Sequence, residues 1–216
     1  ISFDDTGSFH EGIYIAGESN FTNISDNSIT TYAGSTSFPI YFLANSFFNN
    51  INNNILTSQG SASHAFAVTG LHNSTVTNNT ITAGTGLSKP LGIYLNGNND
   101  NNTFSDNNIF TNGGSHLHLS SAAGNNTFTE EIFNGTINFT SHVINAVSVV
   151  VNATGPADPT GKRNLSSYLT ITDVGVDQFI DFNLSYVGAN LTDIDESSIR
   201  MHKYNSTNEW EELSTS

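Results

Sequence analysis

Three groups of side chains in this sequence have types and spacings that do chemistry. His116 and His118 stand two apart, so a strand presents both on one side, and His142 follows later. Imidazoles gathered in this way hold a transition metal. Acidic residues cluster in Phe3-Asp4-Asp5 and in Asp193-Ile194-Asp195-Glu196, where carboxylate oxygens suit calcium, although neither cluster matches an EF-hand loop. Tyr14, Tyr41 and Tyr94 occur in the similar tetrapeptides GIYI, PIYF and GIYL, and a row of exposed phenol rings is a stacking platform for sugars. Each group has a plainer reading, and the plainer one is favoured. The tyrosines form an aromatic ladder on a sheet surface or a protein interface. The histidines lie on the surface without a ligand, because no carboxylate is at hand to orient them. The acidic clusters are solvated loops. No metal is expected, calcium being the one ion the residues suggest, with Asp193, Asp195 and Glu196 as weak candidates.

The side chains that chemistry would modify are more numerous. Asn20, Asn23, Asn73, Asn78, Asn101, Asn125, Asn134, Asn138, Asn152, Asn164, Asn183, Asn190 and Asn205 each open an Asn-x-Ser/Thr sequon. Chance supplies some of these in a chain so rich in Asn, Ser and Thr. Repetition copies others, since Asn73, Asn101 and Asn125 fall in one column of the repeat described below. Asn152, Asn164, Asn183, Asn190 and Asn205 lie outside the repeat and carry more weight. Asn183 alternates with Phe182 and Leu184 and is expected to face outward. Covalent glycans on several of these positions are expected, which fits an exported protein.

Composition removes other partners. The 216 residues include 19 acidic and 5 basic ones, a formal charge of -14, and no Cys. Nucleic acid needs a basic footprint to displace counterions, and an anionic membrane needs cations too. No apolar run approaches bilayer length, so membrane insertion is not expected. Without Cys there is no disulfide framework. The sequence shows no signal peptide and starts at Ile1, which reads as a processed or trimmed piece of something longer.

The elements that must position these residues come from a repeat. TNISDNSIT (22–30), NNINNNILT (49–57), STVTNNTIT (74–82), NTFSDNNIF (102–110) and NTFTEEIFN (126–134) align. First anchors are Ile24, Ile51, Val76, Phe104 and Phe128; second anchors, five later, are Ile29, Leu56, Ile81, Ile109 and Phe133. Copies recur roughly every 24 to 28 residues, a solenoid period. Upstream of each stands a short strand with apolar residues two apart: Ile13/Ile15, Ile40/Phe42, Phe66/Val68, Ile93/Leu95 and Leu117/Leu119. Three short strands cannot bury their own apolar face, but stacked coils can, each strand pairing in parallel about 4.8 Å from its equivalent. The expected fold is all-β: a right-handed parallel β-helix of about five to six coils over residues 1–150, with Val143 opening a sixth rung. Asn27, Asn54, Asn79 and Asn107 form one column in which amides bond along the stack. Asn there also tolerates the left-handed backbone of a sharp turn. Glu131 takes the same column in the last copy and is expected to end the ladder. Asp26, Asn53, Asn78, Asp106 and Glu130, one residue earlier, are expected to point outward.

The stretch GIYLNGNNDNNTFSDNNIFTNGG resembles the β-helix repeats of pectate-lyase-like and periplasmic copper-protein-like families. The resemblance covers residues 1 to about 150 and implies the fold far more than the function, since enzymes, adhesins and structural shafts share this scaffold. It also implies that an enzyme would place acids, Arg or Lys on the outward face of the first strand. That column reads Tyr14, Tyr41, Ala67, Tyr94, His118, and its flank reads Ala16, Leu43, Thr69, Asn96, Ser120, with no acid in either. No enzyme is therefore expected.

Periodicity fades after Phe133, and residues 141–164 end in a turn-rich linker. Longer strands follow in QFIDFNLSYV (178–187), SSIRMHKYN (197–205) and EWEEL (209–213), reading as a small antiparallel β-sandwich domain over 151–216 that caps the helix. RNLSSYLTIT with LTDIDESSIRMHKYNSTNEWEEL is similar to a β-domain of archaeal surface proteins, which implies an exported, non-catalytic role. The leading expectation is a structural glycoprotein of the cell surface, a subunit of an extracellular filament, sheath or surface layer. Its main partner would be itself, in a head-to-tail homopolymer. The alternatives are a carbohydrate-binding or carbohydrate-cleaving module using the tyrosine face, and an adhesin.

Overall fold

The structure, a computed structural model, describes residues 2–4, 9–32, 36–60, 62–84, 90–120, 123–135, 137–143, 147–152, 156–158, 160–161, 168–173, 180–186, 200, 202–204, 207 and 209–212. Every regular element among them is a strand. The front row of the solenoid holds Phe9–Ile15, Thr36–Phe42, His64–Val68, Leu91–Leu95 and Ser115–Leu119, stacked in parallel. A second row holds Asn23–Ser25, Asn50–Asn52, Thr75–Thr77 and Thr103–Ser105, and a third holds Ser28–Tyr32, Ile55–Gln59, Thr80–Ala83 and Asn108–Thr111. Two-residue strands, Ser46–Phe47, Leu71–His72, Asn99–Asp100 and Ala123–Gly124, form a further minor row between front and second.

Like residues meet like, as the repeat requires. Ile13 pairs with Ile40, Ile40 with Phe66, Phe66 with Ile93 and Ile93 with Leu117. The first anchors form a second interior file, ending with Phe104 and Phe128 stacked 4.8 Å apart, and the second anchors a third. From the second coil onward these files are fully buried. Ile13 and Ile15 are only partly buried.

Each front strand turns two consecutive residues inward, such as Pro39 with Ile40 and Ala65 with Phe66. The first of these positions lies so close to the third row that glycine occupies it twice. A Cβ at Gly12 would overlap Ile29 Cγ2 and the Pro39 carbonyl oxygen; one at Gly92 would overlap Ile109 Cγ2 and the His116 carbonyl oxygen. Gly92→Ala is expected to lose about 1–3 kcal/mol of stability by overpacking. Urea denaturation followed by circular dichroism checks this.

The far end closes differently from the expectation of a sixth rung. In the last coil the second and third rows merge into one strand, Asn126–Phe133. Ile137–Val143 then turns back antiparallel onto it, and Ile180–Tyr186 pairs antiparallel with that. On the front row Val147–Asn152 and Tyr168–Asp173 likewise add in antiparallel order. The described solenoid thus has five parallel front strands and about four complete turns between them, fewer than five to six full coils. A turned-back strand buries the last core residues, including Phe139 stacked on Phe133 at 5.2 Å. His202–Tyr204 and Trp210–Glu212 make a small antiparallel pair. It is tied to residue 157 by a 2.7 Å bond from Trp210 Nε1 to the Ala157 carbonyl.

Candidate functional site

The front row carries a longer aromatic file than the three tyrosines. Tyr14 stacks on Tyr41 at 5.7 Å. Ala67 then interrupts the column, and the rings step sideways: Phe38 stacks on Tyr41 at 4.8 Å and meets His64 at 5.6 Å. His64 packs edge-on to Tyr94 at 4.8 Å, and Tyr94 continues to His118 at 5.4 Å. Phe38 and His64 are outward because the doubled inward residues put outward positions three apart, so the period-two reading missed them. Counting whole tetrapeptides in register would have found them. Glu11 pairs in register with Phe38 and so stands in the same outward column, while the imidazoles and Tyr94 are held toward their neutral forms. Burial holds the His64 imidazole down at about 4, against a backbone bond at Ser63 that raises it, with His118 lowering it further. Burial also lowers His118 and raises the Tyr94 phenol, the latter helped by Tyr41.

His116 does not share this face, contrary to the expectation. Its position is the first of the two inward residues, and its ring lies in the core 5.1 Å from Phe133. Val151 N donates to His116 Nδ1 at 3.3 Å. Burial lowers its pKa to about 4, while a bond with Asn134 raises it. His142 is described only within strand Ile137–Val143. Among the described residues no group of three potential ligands forms a metal site. Asp193, Asp195 and Glu196 lie outside the described residues.

Two turns in each coil hold the polar architecture. Asn54 Nδ2 donates to Asn79 Oδ1 at 3.0 Å, Asn79 Nδ2 to Asn107 Oδ1 at 2.9 Å, and Asn27 Nδ2 to Asn54 Oδ1 at 3.0 Å. Each acceptor also takes the backbone N–H of the previous coil, as in Asn54 N to Asn79 Oδ1 at 2.9 Å. The left-handed backbone belongs to the neighbouring column instead: Asp26, Asn53, Asn78, Asp106 and Glu130 all have φ between 54° and 59°. A side chain that folds back to bond the ladder needs ordinary strand-like φ, so the residue before it makes the bend. Those residues are exposed, as expected.

Glu131 is the last acceptor of the ladder. Asn107 Nδ2 donates to its Oε1 at 3.0 Å, while Oε2 is buried without a hydrogen-bond partner. Burial pushes this carboxyl well above the usual carboxylate range; bonds from Asn107 oppose the shift and Asp106 adds to it.

A second ladder, absent from the sequence reading, runs through Asn49, Ser74, Asn102 and Asn126. It follows a second left-handed column: Phe21, Phe48, Asn73, Asn101 and Asn125, with φ between 48° and 59°. Its signal is the Thr, Asn, Ser, Asn, Asn pattern two residues before the first anchors, with Thr22 opening the file. Asn73, Asn101 and Asn125 are exposed along this edge, as are Asn20, Asn23 and Asn78 on theirs. Asn134 is half-buried and its Oδ1 accepts from Thr111 N at 3.2 Å; Asn138 is half-buried within its strand. Asn152 and Asn183 lie in described strands, whereas Asn164, Asn190 and Asn205 fall outside the described residues.

Phe21 and Phe48 stand out in the left-handed column. Bulky residues there cost on the order of 1–3 kcal/mol each. Both rings are nonetheless exposed, 77% and 53%, and stack at 5.3 Å. Elsewhere a groove of about 380 Å³ crosses the ends of the third row, lined by Gln59, Thr82, Phe110, Thr111 and Asn134 among others, with no titratable side chain in its lining.

Residues 4–154 match a family model described as a right-handed β-helix region. Neither a curated protein nor a solved structure matches the chain.

Proposed function

Because the chain belongs to the family of right-handed β-helix proteins, we propose that it is a structural glycoprotein of the cell surface. A β-helix fits a surface or carbohydrate-related role in general, and the finer reading is a subunit of an extracellular filament, sheath or surface layer. One observation carries it: among the described residues two ladders of amides and hydroxyls join successive coils from Thr22 and Asn27 to Asn126 and Glu131, so this part of the shaft is braced by side chains as well as backbone. Such bracing suits a stiff spacer. Exposed sequon asparagines along one corner are positions for covalent glycans. Electron microscopy of native material tests assembly: fibres or a lattice are expected, and monodisperse particles at high concentration would overturn it. Glycopeptide mass spectrometry tests Asn73, Asn101 and Asn125 separately.

The six-ring front face favours a second reading, carbohydrate binding, since rings in file offer repeated stacking positions to a polysaccharide running along the axis. Tyr94→Ala is expected to weaken glycan binding about tenfold or more without altering the circular dichroism spectrum. Equal binding by both proteins on a glycan array would remove this reading.

A further inference from the structure

The pairs Asn96-Gly97, Asn112-Gly113 and Asn134-Gly135 share one chemistry: with no Cβ on the glycine, its nitrogen reaches the preceding side-chain amide unobstructed. The sequence treats the three alike, and the fold does not. Gly97 N is held by a 2.8 Å bond to Ser120 Oγ, and Asn96 N donates to the Val68 carbonyl at 2.8 Å. Asn99 Nδ2 also bonds the carbonyls of both Asn96 and Gly97. Asn134 is half-buried; its Oδ1 accepts from Thr111 N at 3.2 Å, its side chain bonds His116, and its N–H donates to the Ile109 carbonyl at 2.8 Å. Asn112 and Gly113 are exposed. Among the described residues neither the Asn112 side chain nor the Gly113 N–H has a hydrogen-bond partner. A Cβ added to Gly113 would meet nothing within 4 Å. The chain on either side is anchored. Thr111 Oγ1 donates to the Gly114 carbonyl at 3.0 Å, and Gly114 lies so close to the Pro90 carbonyl that no side chain fits there. Asn112 and Gly113 are thus a free loop tip with fixed ends, between Asn108–Thr111 of the third row and Ser115–Leu119 of the front row.

We propose that Asn112 is a site of spontaneous covalent modification, in which its side-chain amide closes on the Gly113 nitrogen and ends as isoaspartate or aspartate. Hydroxide takes the Gly113 N–H proton, and the nitrogen attacks Asn112 Cγ. The bond from Cγ to Nδ2 then breaks, and ammonia leaves with a proton from water. A five-membered cyclic imide remains. Water adds to one of its two carbonyls. Opening at Cγ gives aspartate; opening at the main-chain carbonyl of Asn112 gives isoaspartate, whose backbone runs through Cγ. Water is the only reagent consumed and ammonia the only product released. Ring closure needs the side chain and the following peptide to rotate toward each other, which the bonds at Asn96-Gly97 and Asn134-Gly135 resist and the loop tip does not. Asn112 opens Asn-Gly-Gly rather than a sequon, so no N-glycan occupies its nitrogen. The product places a carboxylate on the groove at the ends of the third row, whose lining otherwise has no titratable side chain. None of this depends on the role of the shaft.

The test is a timed incubation of the folded natural protein at neutral and at mildly alkaline pH, followed by digestion in weak acid and peptide mass spectrometry. Converted peptides gain the mass difference between water and ammonia, and electron-transfer fragmentation separates isoaspartate from aspartate. Asn134 is counted only in peptides that carry no glycan. Asn112 is expected to convert about tenfold or more faster than Asn96 or Asn134, the scale of a little over 1 kcal/mol in activation free energy. Its rate is expected to rise in proportion to hydroxide, with isoaspartate among the products. In urea the three rates are expected to converge, because the bonds that restrain Asn96 and Asn134 are gone. Asn112→Gln keeps an amide but closes only a larger ring, and is expected to leave the loop peptide unchanged over the same time. Circular dichroism before and after incubation confirms that the fold is kept throughout. The proposal is overturned if Asn112 stays intact in the folded protein while the urea-unfolded chain converts. It is overturned equally if the three pairs convert at one rate in the folded protein, or if the loop peptide changes as fast in Asn112→Gln.

Discussion

At about pH 8 the Glu131→Gln protein is expected to be more stable than the natural one by on the order of a few kcal/mol, the scale of an uncompensated buried charge. At about pH 4 the two are expected to be nearly equal. The native carboxyl is raised above its unfolded value, so the folded state holds a proton that the unfolded state releases as pH rises. Its contribution is therefore fully present below the unfolded pKa and is lost as pH rises through the folded one. The groups acting on it are few. Asn107 donates to it, Asp106 adds negative charge beside it, and Phe139 is its partner on the covering strand. On that strand His142 pairs instead with Thr127, and on the next Asp181 pairs with His142. Gln keeps the acceptor that Asn107 uses and has no charge to lose. Urea titrations of both proteins across this pH range measure the difference, in which the other carboxylates cancel. Identical pH dependence would show that Glu131 titrates in the fold as it does in the unfolded chain and would contradict the raised carboxyl.

Asn79→Ala is expected to cost on the order of 3–6 kcal/mol, enough to unfold a protein of ordinary stability. The side chain sits mid-ladder. Its Oδ1 accepts from both the backbone N–H and the amide of Asn54, and its Nδ2 donates to the Ile51 carbonyl at 3.0 Å and to Asn107. Alanine would leave those partners buried without water. By contrast Asn78→Ala, one residue earlier and exposed, gives up only the tolerance of Asn for its φ of 55°. A cost of about 1–2 kcal/mol is expected there. Chemical denaturation of the two variants side by side checks the ranking, and equal losses would contradict the division of labour between the two columns.

That division also shows how far the sequence could be read. Ile13, Ile40, Phe66, Ile93 and Leu117 were identifiable as one interior file because a repeat with two-residue alternation leaves a single way to bury them. The Asn27 to Asn107 column was legible for the same reason. What misled was handedness at the turn: the amide that bonds and the residue that bends are neighbours, both Asn-rich, and composition does not separate them. Strict alternation puts His116 outward, whereas the doubled inward residues, marked by Gly12 and Gly92, shift it into the core.

The sequence by itself determined the solenoid, its period and the apolar anchors of its interior, since stacking similar units turns a one-dimensional pattern into three-dimensional files. Only the tertiary structure decided where the stack stops, which rings join into one face and which strained positions carry exposed Phe. These depend on contacts between different coils and on strands that reverse direction, such as Ile137–Val143 lying antiparallel over Glu131. No repeat encodes such contacts, because each is made once.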